Sequence, residues 1–219
     1  MNENYLKIIF VIDESGSMAG TEKDVVGGFN RFIEQQKMGE YGKITVSLYK
    51  FNSYWSRVVS DLPIDEIRPL TSEDYTPGGL TALYDTIGNA IRDIQNRTHY
   101  TNPAQQASLV MMVVITDGQE NASTEYDSGK VKEMIRELEQ TKKWQFIYLG
   151  ADLDNFADAD TLGFSHKASS RKSDLKQSFS VVSEHTTRFR VAEPDEDIEI
   201  LMEGLIDDLE KDNLEKDDR

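Results

Sequence analysis

Residues 8–12, Ile-Ile-Phe-Val-Ile, form a short apolar run with no polar alternation, and residues 108–115 form another. Both read as strands buried on two faces. Residues 43–51 alternate cleanly and predict a half-buried strand. Asn52-Ser53 then marks a turn, and residues 54–60 read as an antiparallel partner at a sheet edge, ended by Pro63. Residues 144–149 and 164–168 predict two further strands. Helical spacing appears between them. Val25, Phe29, Phe32, Ile33 and Gln36 trace one face, with Thr21 as N-cap and Gly39 and Gly42 as stop. Leu83, Ile87, Ala90, Ile91 and Ile94 trace a second. Residues 128–142 carry Val131, Met134, Ile135 and Leu138 inward, and residues 173–189 carry Leu175, Phe179, Val182 and Phe189. A short helix is expected over 155–162. Residues 63–79, rich in Pro and Gly, and the polar stretch 98–106 are connections. This alternation predicts an α/β fold: a doubly wound, mostly parallel sheet with one antiparallel edge strand and helices on both faces.

Charge divides the chain. The net charge is -16 over 219 residues, and the segment from Ala192 onward holds 13 acidic and 3 basic side chains. Pro194 separates a body, 1–191, from this acidic segment, 192–219. Ile198, Leu201, Met202, Leu205 and Leu209 recur in it at helical spacing, which predicts an acidic amphipathic helix that frays from Asn213. Its stripe packs on the body, docks on a partner or competes for a basic surface. Neither part favours contact with nucleic-acid phosphates. The chain has no cysteine, which removes disulfides, thiolate metal sites and cysteine nucleophiles. His99, His166 and His185 lack ligand spacing, so zinc of the structural kind is not expected. No apolar run approaches the length of a membrane span, and residues 1–4 carry no positive charge of the signal-peptide kind. A cytoplasmic protein is expected.

The first strand ends in Asp13-Glu14-Ser15-Gly16-Ser17. Asp13, Ser15 and Ser17 sit at alternate positions, and Gly16 lets the chain curl so that their oxygens converge. A carboxylate with two hydroxyls suits a hard divalent cation such as Mg2+. In doubly wound folds, ligands bind beyond the carboxyl ends of the strands. Thr116-Asp117-Gly118 ends a second buried strand, and the loop Thr76-Pro77-Gly78-Gly79-Leu80-Thr81 leads into a helix. Asp13, Ser15, Ser17, Thr81 and Asp117 are therefore placed to meet at one edge of the sheet. Taken singly, the serines also read as turn residues, Thr81 as an N-cap and Asp117-Gly118 as a turn. Glu14 is expected to face solvent, Asn121 to brace the loop after Asp117, and Asp85 to favour a helix dipole. Tyr54 and Trp55 are expected to pack at the sheet edge.

Together these loops resemble the von Willebrand factor A domain, the fold shared with integrin I domains. Its metal-ion-dependent adhesion site combines a D-x-S-x-S loop, a threonine from a second loop and an aspartate from a third. Asp13, Ser15, Ser17, Thr81 and Asp117 match these positions, and the resemblance covers roughly residues 5 to 190. It implies a Rossmann-like sheet and an intracellular domain of bacterial or phage type. It further implies that Ser15, Ser17 and Thr81 ligate Mg2+ (or Mn2+) through their hydroxyls, with Asp13 and Asp117 acting directly or through water. An open coordination position would then take an Asp or Glu carboxylate from a protein partner, commonly within a multi-protein or ATPase-associated complex, without catalysis. Two other functions compete with this one. A metal-dependent hydrolase or phosphatase of the haloacid-dehalogenase type needs a second aspartate where Ser15 stands, and neither a G-x-S-x-G elbow nor a phosphate loop is present. The acidic tail could also act as a decoy on a basic protein surface.

Overall fold

A computed structural model describes residues 5–39, 42–152, 156–192 and 197–217. Its elements, in chain order, are β1 (Tyr5–Asp13), α1 (Glu22–Met38), β2 (Lys43–Phe51), β3 (Trp55–Pro63), α2 (Leu83–His99), β4 (Leu109–Thr116), α3 (Ser128–Glu139), β5 (Trp144–Ala151), α4 (Ala157–Leu162), β6 (His166–Ser170), α5 (Leu175–Val191) and α6 (Ile198–Asp217). The strands form one sheet in the order β3-β2-β1-β4-β5-β6. Neighbours pair in parallel except β3, which runs antiparallel to β2 at the edge. The doubly wound, mostly parallel α/β fold is thus the observed one.

β1 is buried along its whole length because it feeds two cores. Ile8, Phe10 and Ile12 face the layer of α1, α5 and α6, while Ile9 and Val11 face that of α2, α3 and α4. On the first face, Phe10 meets Phe29 and Phe32 edge-on at centroid distances of 5.6 and 5.0 Å, and Phe179 at 5.6 Å. Edge-on rings align positive edges with negative faces. Gly28 lets α5 approach closely, since a Cβ there would lie 2.4 Å from Cδ2 of Phe179. Arg190, near the end of α5, donates to the carbonyls of Gln36, Gly39 and Gly42, so a cation satisfies the orphan acceptors at the C-terminus of α1.

The stripe of α6 packs on the body. Met202, Leu205 and Leu209 are buried in the same core as Phe10, against β6 and α5. The helix continues past Asn213 to Asp217. Leu214, Glu215 and Lys216 are good helix formers that extend a helix already nucleated. Other boundaries move by a few residues: α3 stops at Glu139, β3 runs on through Pro63, and β6 and α5 each start two residues late. Asn155, expected to begin α4, lies outside the described residues. Thr21 precedes α1 without capping it, because its hydroxyl donates to the Met18 carbonyl at 2.7 Å. Tyr54 does not pack at the edge: it is 82% exposed, and only Trp55 leans on Tyr49.

Candidate metal centre

The strand order reverses between β1 and β4, whose partners on the other sides are β2 and β5. The two carboxyl ends are adjacent, with Ile12 beside Ile115. Loops leaving this point diverge to opposite faces of the sheet and leave a crevice. Asp13 closes β1 at that point and is fully buried. Its Oδ1 accepts the Ser15 backbone N–H at 2.7 Å, and its Oδ2 accepts the Thr116 hydroxyl at 2.6 Å. The Tyr75 hydroxyl donates to the Asp13 carbonyl at 2.6 Å. Burial pushes the Asp13 carboxyl up to about 6, against the lowering effect of the Thr116 and Ser15 hydrogen bonds. A buried carboxylate held only by neutral donors favours a nearby cation.

The other four residues converge on the same place. Ser15 and Ser17 share a hydrogen bond between hydroxyls at 3.0 Å, and Ser17 Oγ donates to Asp117 Oδ1 at 2.7 Å. A methyl group added at Gly118 would lie 3.3 Å from Thr81 Oγ1, 3.6 Å from Ser17 Oγ and 3.8 Å from Asp13 Oδ2. Oxygens from the first two loops therefore surround one small space beside Gly118, which belongs to the third. Backbone bonds hold the loops in register. Gly16 N–H donates to the Gly79 carbonyl at 3.1 Å, and Gly78 N–H to the Glu14 carbonyl at 2.8 Å. Asn121 clasps Thr81 in both directions: its side-chain oxygen accepts the Thr81 N–H at 2.9 Å, and its own N–H donates to the Thr81 carbonyl at 3.1 Å.

Among the described residues, no three His, Cys, Asp or Glu side chains are grouped to bind a metal. The site is instead two carboxylates with three hydroxyls. That all-oxygen, weakly charged set fits a hard cation that keeps water in its shell, such as Mg2+ or Mn2+.

Several supporting residues have roles other than those expected from the sequence. Glu14 does not face solvent. It is buried, pairs with Lys50 at 2.7 Å and accepts the Thr76 N–H at 2.5 Å, so it pins the 76–81 loop beside β1. Asp85 does more than meet a helix dipole. Its carboxylate accepts the N–H groups of Thr124, Glu125 and Tyr126 at 2.9, 2.8 and 2.7 Å, fixing the segment after Asn121 onto α2. Glu120 gathers the N–H groups of Tyr84, Ala122 and Ser123. These roles of Asp85 and Glu120 had no local signature, because the two carboxylates serve donors more than thirty residues away or in an irregular loop. Lys172, from the turn before α5, places its ammonium 2.6 Å from Asp117 Oδ2.

A doubly wound sheet with three oxygen-rich loops converging at its switch point marks the class of α/β adhesion and interaction domains. The chain belongs to the von Willebrand factor type A domain family, which matches residues 7–188. Domains of this family are metal-dependent protein-interaction modules and are generally not enzymes. Comparison with curated sequences gives no significant match. Among solved structures, a von Willebrand factor type A protein from Catenulispora acidiphila has 17% identity and a TM-score of 0.58, over 85% of this chain and 43% of its own. The vWF domain of the type V pili tip protein Mfa5 from Porphyromonas gingivalis has 11% identity and a TM-score of 0.60, over 87% of this chain and 98% of its own. Proximal thread matrix protein 1 from the mussel byssus, solved with a zinc-occupied MIDAS motif, has 16% identity and a TM-score of 0.54, over 84% and 46%. This chain spans less than half the length of the first and third of these proteins. At such identities the likeness concerns the fold. Among the described residues, no helix is long and apolar enough to cross a membrane.

Proposed function

We propose that Asp13, Ser15, Ser17, Thr81 and Asp117 hold a Mg2+ or Mn2+ ion and that the bound ion captures an Asp or Glu carboxylate of a protein partner. The observation that carries this reading is the convergence of Asp13 and Ser17 oxygens from the first loop and the Thr81 oxygen from the second within 3.8 Å of one point beside Gly118, in the third. Neutral hydroxyls leave a divalent ion short of negative charge, so a further carboxylate is rewarded. Asp13 and Asp117 orient those hydroxyls, the first through the Ser15 N–H and the second through Ser17 Oγ. The site acts by binding and not by turnover. Its carboxylates serve as acceptors for the loops around them, which leaves neither as a free general base. The setting proposed is cytoplasmic, in a bacterial or phage multi-protein assembly that could include an ATPase. In this reading residues 1–191 act as the interaction domain, with 192–219 as an added acidic helix.

The test is direct. Mn2+ binding is followed by EPR for the intact chain and for Thr81→Ala, which removes one hydroxyl ligand while leaving both carboxylates. A drop in affinity of about tenfold or more is expected, the size of one lost charge-assisted contact. Partner capture is followed by affinity pull-down in Mg2+ and in EDTA. Unchanged Mn2+ affinity in Thr81→Ala, or a partner retained equally in EDTA, would sink the reading.

A further inference from the structure

Lys172 opens the turn Lys172–Asp174 that links β6 to α5. Its backbone N–H donates to Asp152 Oδ1 at 3.0 Å, which seats the residue at the end of β5. From there the side chain crosses to the candidate centre. The ammonium lies 2.6 Å from Asp117 Oδ2 and donates to the Ser17 carbonyl at 3.0 Å. The carboxylate it covers is 1% exposed, whereas the lysine side chain is 30% exposed. Asp117 is thereby divided between two partners, the Ser17 hydroxyl on Oδ1 and the ammonium on Oδ2.

We propose that Lys172 is a built-in counter-cation that rivals the divalent metal for Asp117. The inference rests on the metal reading above. A buried carboxylate left without a positive partner is costly, and the ammonium supplies one when no metal is bound. A divalent ion brings twice the charge to the same oxygens, and two cations sharing one carboxylate repel each other. Loading therefore requires the ammonium to leave Oδ2. Its flexible four-carbon stem and partial exposure give it a path into water. The consequence is a threshold: the site fills only above a metal concentration set partly by this lysine, and Asp117 stays in place below it.

The experiment uses the full chain. The Mn2+ dissociation constant is measured by EPR for the unaltered protein, for Lys172→Met and for Lys176→Met. Lys176 is exposed one turn further on and carries the same charge without touching the centre. Lys172→Met is expected to bind Mn2+ about tenfold more tightly, and Lys176→Met within twofold of the unaltered protein, because water and salt screen a distant surface charge. In EDTA, Lys172→Met is expected to lower the melting temperature of the unaltered protein but not of Asp117→Asn. Equal Mn2+ affinity with and without Lys172, or the same tightening in both lysine variants, overturns the inference and leaves the metal reading standing. Failure of every variant to bind Mn2+ overturns the metal reading, and the rivalry with it.

Discussion

Replacing Asp13 by asparagine separates what this residue costs the fold from what it gives the site. The carboxyl is fully buried, and burial pushes it up from 3.8 to about 6. At 1.36 kcal/mol per pKa unit, keeping it ionised at pH 8 costs about 3 kcal/mol. Asparagine removes that cost. Its amide oxygen still accepts the Ser15 N–H, and the Thr116 hydroxyl must turn to accept from the new amide nitrogen. Turning the Thr116 hydroxyl and refitting an amide in this buried place returns about 1 kcal/mol of the gain. In EDTA, Asp13→Asn should therefore be more stable by about 1 to 2 kcal/mol, and melt roughly 2–8 °C higher for a domain of this size. Metal reverses the order. At a hundred times its dissociation constant, Mg2+ adds about 2.7 kcal/mol to a protein that binds it, and nothing to a variant that does not. Differential scanning calorimetry in EDTA and in Mg2+ measures both. If Asp13→Asn melts below the parent in EDTA, the burial argument is wrong. If it shows the parent's full Mg2+ shift, Asp13 is not part of a metal centre.

Adjacent glycines in α1 make opposite predictions. A Cβ at Gly27 meets nothing within 4 Å, so Gly27→Ala should stabilise by about 0.5–1 kcal/mol through helix propensity. At Gly28 the Cβ would lie 2.4 Å from Phe179 and 3.2 Å from the Lys176 backbone, so Gly28→Ala should destabilise by about 1–2 kcal/mol. Urea unfolding would refute this packing if Gly28→Ala proved the more stable of the two. Glu139, at the end of α3, is raised to about 7, first by burial and then by the Glu199 charge. Because its folded value lies above the unfolded one, the stability it contributes is full below about pH 4.5 and is lost as pH rises through 7. Glu139→Gln should lack that decline and gain about 1 kcal/mol over the parent between pH 5 and 8, the half-buried position being partly screened by water. Parallel stability–pH profiles for the two proteins would contradict it.

Periodicity along the chain was enough to read the parallel sheet and the antiparallel edge, and it put Asp13, Ser15, Ser17 and Asp117 at or just past strand ends and Thr81 just before a helix; their role as ligands came from the family resemblance. The reason is physical: a strand buried on both faces must be continuously apolar, and the polar residues that follow it must lie at the sheet edge. D-x-S-x-S is legible because Asp13, Ser15 and Ser17 are neighbours whose spacing is set by one short turn. What the loops need in order to hold that arrangement is not local. Glu14 meets Lys50 and Thr76, Asp85 meets residues 124–126, and Lys172 reaches Asp117 across the sheet. A charged residue in a polar loop has the same sequence signature whether it ends in water or in a buried pair. The stripe on α6 is a similar case, since helical spacing predicts an apolar face but not what covers it. Only the packing of α6 on β6 and α5 settled that, because burying a face depends on which surfaces the finished sheet leaves open.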